Sequence, residues 1–312
     1  MWTQFALPVH LFLQKNKPDV FFTPTHYAPR FSPVPTVVSV MDLSFLRFPE
    51  LFAEKDLYQL KNWTKYSVGK ASHVITISNS SKNDIIKAYK IPADRVSVVY
   101  PGIKQVTTLN PHVYSMSELK TKYKISDNYI LSVGTLQPRK NTARLIEAFA
   151  KIRKSKKYAD SDLMLVVVGK KGWLYEDILS APERFGVTES VKFLDFVSDE
   201  DLISLYKNAQ CYVFPSLYEG FGLPVLEAMK FDCPVITSNV SSLPEAAGDA
   251  ALYVDPLDIE DIAKKIQKVL EDKDLRRGLI KKGREQVKKF SWEKSAKETL
   301  AILEEVGRNG KR

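Results

Sequence analysis

Apolar and polar positions along the chain alternate between two rhythms. Short runs of Val, Ile, Phe and Tyr read as strands, and the stretches between them repeat their apolar residues at helical period, the pattern of an α/β protein with parallel sheets covered by helices. In the first third the strand candidates are Asp19 to Thr23, Thr36 to Val40, His73 to Ile77 and Val96 to Tyr100, separated by helices at Glu54 to Val68 and Ser80 to Tyr89. The segment "YPGIKQVTTLNPHVYSM" carries Pro, Gly and polar residues without a period, so it reads as a linker and domain boundary. Beyond it a helix near Ser117 to Tyr123 opens a second, doubly wound domain. Its strands are expected at Tyr129 to Val133, Leu163 to Val168, Val191 to Leu194, Cys211 to Phe214, Val235 to Thr237 and Ala251 to Val254. Helices such as Ala143 to Ile152, Ser198 to Asn208, Leu223 to Lys230 and Ile259 to Leu270 run between them. Ser291 can cap a last helix whose Trp292, Ala296, Leu300 and Leu303 share one face. The division expected is residues 1–105, residues 106–290, and a terminal helix over 291–312 that returns to the first domain.

Composition narrows the class. A chain of 312 residues with 44% apolar content builds two cores comfortably. Cys211 and Cys233 sit in apolar runs and read as buried strand positions in a reducing compartment rather than as a disulfide framework. The start, "MWTQFALPVHLFLQKNKPD", has no basic leader region and is broken by Pro8 and His10, so a cytoplasmic protein without a membrane span is expected. Residues 1–104 hold 13 Lys and Arg against 7 Asp and Glu, which is +6 of the net +9. The cations are scattered and no basic run is interleaved with aromatics, so nucleic acid is not an expected partner.

Two segments carry the pattern of a ligand site, because in a doubly wound sheet ligands sit beyond the C-terminal strand ends, where helix N-termini aim N–H groups at the crevice. "YILSVGTLQPRKNTARLIEAF" leaves a strand through Gly134 and Thr135 and sets Arg139 and Lys140 just before a helix. Cations there oppose the helix dipole, and a guanidinium beside an ammonium suits a diphosphate. "PSLYEGFGLPVLEAMKFDCPVITS" places Gly220 and Gly222 around Phe221, then Leu223 and Pro224 at a helix start. Seven residues separate Glu219 from Glu227, so the two carboxylates can flank one ligand. Read singly, Glu227 is equally a solvated helical residue and the glycines are turn formers.

These residues resemble the retaining sugar-nucleotide glycosyltransferases of family 4, whose two Rossmann-like domains form the GT-B fold. The resemblance runs through "FTPTHYAPRFSPVPTVVSVMDLSFLRFPE", "ITISNSSKNDI", "VVYPGI", "ILSVGTLQPRKN", "VVGKKGW", "LYKNAQCYVFPSLYEGFGLPVLEAM", "SSLPEAAGDAALYVDP" and "FSWEKSAKETL". It is nearest to bacterial mannosyl- or rhamnosyl-type enzymes of polysaccharide assembly. It implies that Arg139 and Lys140 bind the donor diphosphate, that Glu219 contacts sugar hydroxyls with Phe221 and Gly222 lining the pocket, and that Glu227 holds the ribose. Gly134, Val197 and Ser198 are then placed near base and phosphates. Transfer with retention is implied, the departing diphosphate taking the acceptor's proton, with no metal and no cofactor beyond the donor. GDP-mannose is favoured over UDP- or ADP-sugars, and lipid-linked or polysaccharide acceptors are expected.

The pattern departs from the family in two places. Relatives place further elements before the equivalent of "KPDVFFTPTHY", so the first domain reads as truncated. The edge left open is expected to meet a second copy, a partner subunit or the inner face of a membrane through Trp2, Phe5, Leu7, Leu11, Phe12 and Leu13. Met41-Asp42 stands where relatives have His-Asp, and His26 is the candidate replacement; packing against Tyr27 and Pro29 is the other reading of that histidine. A donor-binding subunit that needs a partner for catalysis is the alternative function. Asp160 and Asp162 read as solvated loop carboxylates, and the dispersed His10, His26, His73 and His112 do not suggest zinc.

Overall fold

The computed structural model describes residues 2–103 and 113–310. The chain divides into two compact units, Met1–Gly102 with Phe290–Arg312, and Ile103–Lys289. The sequence boundary expected at residues 105 and 106, like His112, falls outside the described residues.

The first unit holds β1 (Phe21–Thr23), β2 (Thr36–Ser39), β3 (His73–Thr76) and β4 (Val96–Val98), all parallel and ordered as in the sequence. Neighbouring side chains on a strand point to opposite faces, and both faces here are covered. Val38 and Val74 pack with Phe45, Val68 and Ile85 on one side. Val37, Ile75 and Val99 meet Ile302, Leu303 and Val306 of the helix Trp292–Asn309 on the other. Ser291 does cap that helix, accepting from the Lys294 N–H, but of the face expected to be apolar only Leu303 packs on the sheet, joined there by Ile302 and Val306. Trp292 and Leu300 are exposed, because the position of the sheet, not the strongest apolar spacing, selects the buried stripe. The N-terminal helix Ala6–Leu13 leaves Phe12 and Leu13 exposed, with Trp2 and Phe5 exposed ahead of it; Leu11, expected to join them, is buried instead.

The second unit contains β5 (Tyr129–Val133), β6 (Met164–Val168), β7 (Val191–Leu194), β8 (Cys211–Phe214), β9 (Val235–Ser238) and β10 (Ala251–Val254). All are parallel, in the order β10-β9-β8-β5-β6-β7. Its core gathers Leu145, Phe149 and Ile152 from the helix Thr142–Arg153, Leu165 and Val167 from β6, Val213 from β8 and Ile262 and Ile266 from the helix Ile259–Glu271. Each such side chain contributes roughly 1.5–3 kcal/mol by leaving water. Both cysteines are buried and free, and burial pushes their thiols up, Cys211 to about 12. Cys211 lies in β8 as expected; Cys233 lies instead in the loop before β9, where Pro234 delays entry into the ladder. Among the described residues no helix is long and apolar enough to cross a membrane.

Candidate active site

The strand order of the second unit reverses between β5 and β8: the chain runs outward through β6 and β7, then crosses back and runs outward through β9 and β10. Loops leaving neighbouring strands on either side of such a switch point diverge and open a crevice at the C-terminal strand ends. The loop after β5 carries Arg139 and Lys140, and the loop after β8 carries Glu219, so topology alone brings the two sequence segments together.

Side chains and backbone then sew the loops. Arg139 and Lys140 end a 3₁₀ turn, Pro138–Lys140, and Asn141 follows with φ 63°, a left-handed conformation tolerated by Asn. The buried Asn141 amide donates to the carbonyls of Pro215 at 2.9 Å and Pro256 at 2.7 Å, and its oxygen accepts from Arg144 at 2.7 Å. The Arg139 carbonyl accepts from the Leu217 N–H at 2.9 Å, with Ser216 Oγ 3.0 Å away.

Within this frame Lys140 Nζ lies 2.6 Å from Glu219 Oε1 and 4.9 Å over the Phe214 ring, while Arg139 Nη1 lies 3.0 Å from Glu219 Oε2 and donates to the Tyr218 carbonyl. Ser216 Oγ is 2.6 Å from Oε1. Burial alone would raise the Glu219 carboxyl, but Lys140 and Arg139 outweigh it and hold the group below the ordinary carboxylate value, so it is ionised at neutral pH. The cluster is one carboxylate between two cations, all three largely withdrawn from water.

Gly222 has φ 107° and caps the helix Leu223–Lys230; a β-carbon there would come within 2.8 Å of Leu243. Only glycine turns the chain from Glu219 into that helix start. Gly220 and Phe221 are buried in the same turn, and the Glu219 backbone is fixed at both ends, its N–H donating to Ser241 Oγ at 2.9 Å and its carbonyl accepting from Ser242 Oγ at 2.8 Å. Glu227 sits one turn into the helix. Burial, then the Glu227 charge, pushes the Tyr206 phenol far above its usual range, and Tyr212 is raised by burial and by the charges of Tyr206, Glu227 and Glu219. Tyr212, donating to the Val133 carbonyl at 3.2 Å, thus lies within reach of both carboxylates' fields.

The remaining sequence candidates spread along the crevice rim. Gly134 continues the β5–β6 ladder through its N–H to Val168, and Thr135 is exposed beside it. Gly169 presses so close that a β-carbon would fall 2.0 Å from the Gly134 oxygen, and Leu136 bridges to Lys171. Lys170 Nζ stands 4.9 Å over the exposed Phe196 ring, next to Val197. Ser198 serves as N-cap of the helix Asp199–Asn208, accepting from the Asp201 N–H at 3.1 Å. His26 belongs to the other unit: it is half-buried beside Tyr27 and Phe45, with Nδ1 enclosed and unpaired among the described residues, and burial lowers its pKa against the pull of Asp42. Asn141, Ser216, Tyr212 and the Ser241-Ser242 pair were not legible as site residues. "PRKN" gave the only signal, a polar residue fixed between cations and helix.

A doubly wound sheet with paired cations and a buried carboxylate at its switch point has the charge to receive an anionic ligand, and comparison with known proteins makes the family explicit. The family model of glycosyl transferases group 1 matches residues 116–286, and that of glycosyltransferase family 4 matches residues 2–105. O-antigen chain mannosyltransferase B of Escherichia coli is 32% identical over 290 residues, covering 92% of this chain and 74% of its own. O-antigen chain mannosyltransferase RfbU of Salmonella typhimurium is 31% identical over 221 residues, 71% of this chain and 57% of its own. Among solved structures, WaaG, a glycosyltransferase involved in lipopolysaccharide biosynthesis, superposes with a TM-score of 0.71 at 20% identity, covering 95% of this chain and 80% of its own. The chain belongs to the group 1 glycosyltransferases, with the α/β architecture of the GT-B fold.

Proposed function

We propose that the chain transfers a hexose, mannose from GDP-mannose in the first instance, to a saccharide or lipid-linked acceptor with retention at the anomeric carbon, working on the cytoplasmic side of a membrane. The observation that carries this is the pairing of Arg139 and Lys140 with Glu219 at the switch point. Two close cations match the two negative phosphates of a sugar nucleotide and stabilise the charge that grows on the diphosphate as the glycosidic bond breaks. On this assignment Glu219 accepts from sugar hydroxyls and Glu227 from the ribose diol. In this reading the leaving phosphate oxygen takes the acceptor's proton, so no protein nucleophile is used and the charge is carried by side chains rather than by a metal. The mannosyl preference rests on the relatives named as mannosyltransferases.

The test is nucleoside diphosphate release from GDP-, UDP-, ADP- and dTDP-sugars, with and without bacterial lipid extract and with EDTA present. Release from GDP-mannose that survives EDTA and is lost in Arg139→Ala and Glu219→Ala supports the reading, with the anomer of the product deciding retention. Nucleotide binding without release in the presence of a competent acceptor would favour the donor-binding subunit instead.

A further inference from the structure

Arg139 and Lys140 are held by an anion that the protein itself supplies. The Glu219 carboxylate takes one cation on each oxygen, at 3.0 and 2.6 Å, and Ser216 Oγ adds a contact of 2.6 Å. The Glu219 backbone is clamped by Ser241 and Ser242 independently of the carboxylate. The carboxylate is therefore anchored by its cations while the main chain that carries it stays fixed. We infer that Glu219 is an internal rival of the donor diphosphate and that the donor's sugar decides which of the two anions keeps the cations. This rests on the assignment of Arg139 and Lys140 to the diphosphate.

With the carboxylate in place the three side chains sum to a single positive charge; with it withdrawn, two cations face the diphosphate. Phosphate oxygens compete for the same N–H donors, but a displaced buried carboxylate is costly unless it gains hydrogen bonds elsewhere. A hexose offers hydroxyl donors at the β-phosphate, where the carboxylate would arrive. A bare nucleoside diphosphate offers none. The intact donor thus displaces Glu219 at little cost, whereas after transfer the carboxylate has lost its hydroxyl partners and returns to Arg139 and Lys140, expelling the nucleotide. One residue would both admit the substrate and discharge the product.

Calorimetric titration of the full chain with GDP, UDP and ADP, and with GDP-mannose and UDP-glucose, separates the terms. Glu219→Gln keeps the shape and removes the rival charge. It is expected to bind the preferred bare nucleoside diphosphate about tenfold more tightly than the native chain and to lose the difference between that nucleotide and its sugar conjugate. A Glu219 that merely supports the loop would give the opposite sign, weakening both ligands. A folded Gln variant, judged by its melting curve, that binds the bare nucleotide no more tightly overturns the inference. If Gln prevents folding, Glu219→Asp retracts the carboxylate by one methylene: tighter nucleotide binding supports the rivalry, and unchanged or weaker binding overturns it. A native chain that binds none of the nucleotides defeats the diphosphate assignment and this inference together, an outcome distinct from either variant result.

Discussion

Among the described residues of the second unit are two lysine–carboxylate–serine clusters of closely related chemistry. In one, Lys122 Nζ is 2.7 Å from Asp201 Oδ1 and Ser198 Oγ is 2.6 Å from Oδ2. In the other, Lys140 and Ser216 make the matching contacts to Glu219, each at 2.6 Å. Their surroundings separate them. The Lys122 side chain is 45% exposed, and its partner sits in the first turn of the helix capped by Ser198, so the cluster clasps the helix Met116–Tyr123 to its neighbour. Lys140 is 14% exposed, a second cation, Arg139, shares the carboxylate, and neither belongs to a cap. The structural clasp is balanced, one cation to one carboxylate, and its cation stays open to water although Asp201 is buried. A site keeps surplus charge out of water, where it acts strongly on whatever anion enters.

Charge removal should break this contrast most sharply at Arg139. Arg139→Ala is expected to lower the rate of glycosyl transfer by about 10²–10³-fold, from loss of diphosphate stabilisation, read as nucleoside diphosphate release at saturating donor. Next comes the frame. Asn141→Ala strands the carbonyls of Pro215 and Pro256 and puts a β-carbon residue with no local hydrogen bond at φ 63°, so urea melts should show a loss of about 3 kcal/mol.

A third effect is a pH dependence. Because the folded Glu219 carboxyl lies below its ordinary value of 4.5, it binds fewer protons folded than unfolded near that pH; its stabilisation is complete above 4.5 and is lost as pH falls through the lower folded value. Asp201, which burial would raise, is instead depressed from 3.8 by Lys122 and Ser198 and adds a loss of the same sign below 3.8. Melting temperatures followed from pH 6 to 3 should therefore fall less steeply in Glu219→Gln, counted from its own neutral value. The smallest effect is expected at the clasp, whose lysine is open to water: Lys122→Ala leaves the buried Asp201 carboxylate to Ser198 and should cost about 1–2 kcal/mol in the same melts, with transfer within about threefold of native. A loss at Lys122 as large as that at Arg139 would remove the distinction.

Much of the fold was legible because strands buried on both faces print themselves as continuous apolar runs. Tyr129–Val133, Val191–Leu194, Cys211–Phe214 and Ala251–Val254 begin and end where the sequence places them. Short elements that depend on their neighbours were not: Ser44–Arg47 and Leu243–Ala247 make barely a turn each, too little for a period to register. On the last helix Leu303 was legible, whereas Ile302 and Val306 escaped for a related reason, since the sheet they meet chooses them. At the site, Arg139, Lys140 and Glu219 could be read as ligand-facing groups, but not as partners of one another. Their proximity arises from the adjacency of β5 and β8, which is a property of strand order. Asn141 was opaque because its function lies in two carbonyls far along the chain, at Pro215 and Pro256.

The contact of Gly169 with the Gly134 carbonyl makes the crevice floor there main chain pressed on main chain. Such a floor offers natural variation almost nothing to act on: any residue larger than glycine at position 169 wedges two strand ends apart. Divergence among descendants of this scaffold must accordingly accumulate around the rim, at exposed positions such as Thr135, Lys170 and Phe196, and libraries built to retune its choice of ligand would be best confined to that border.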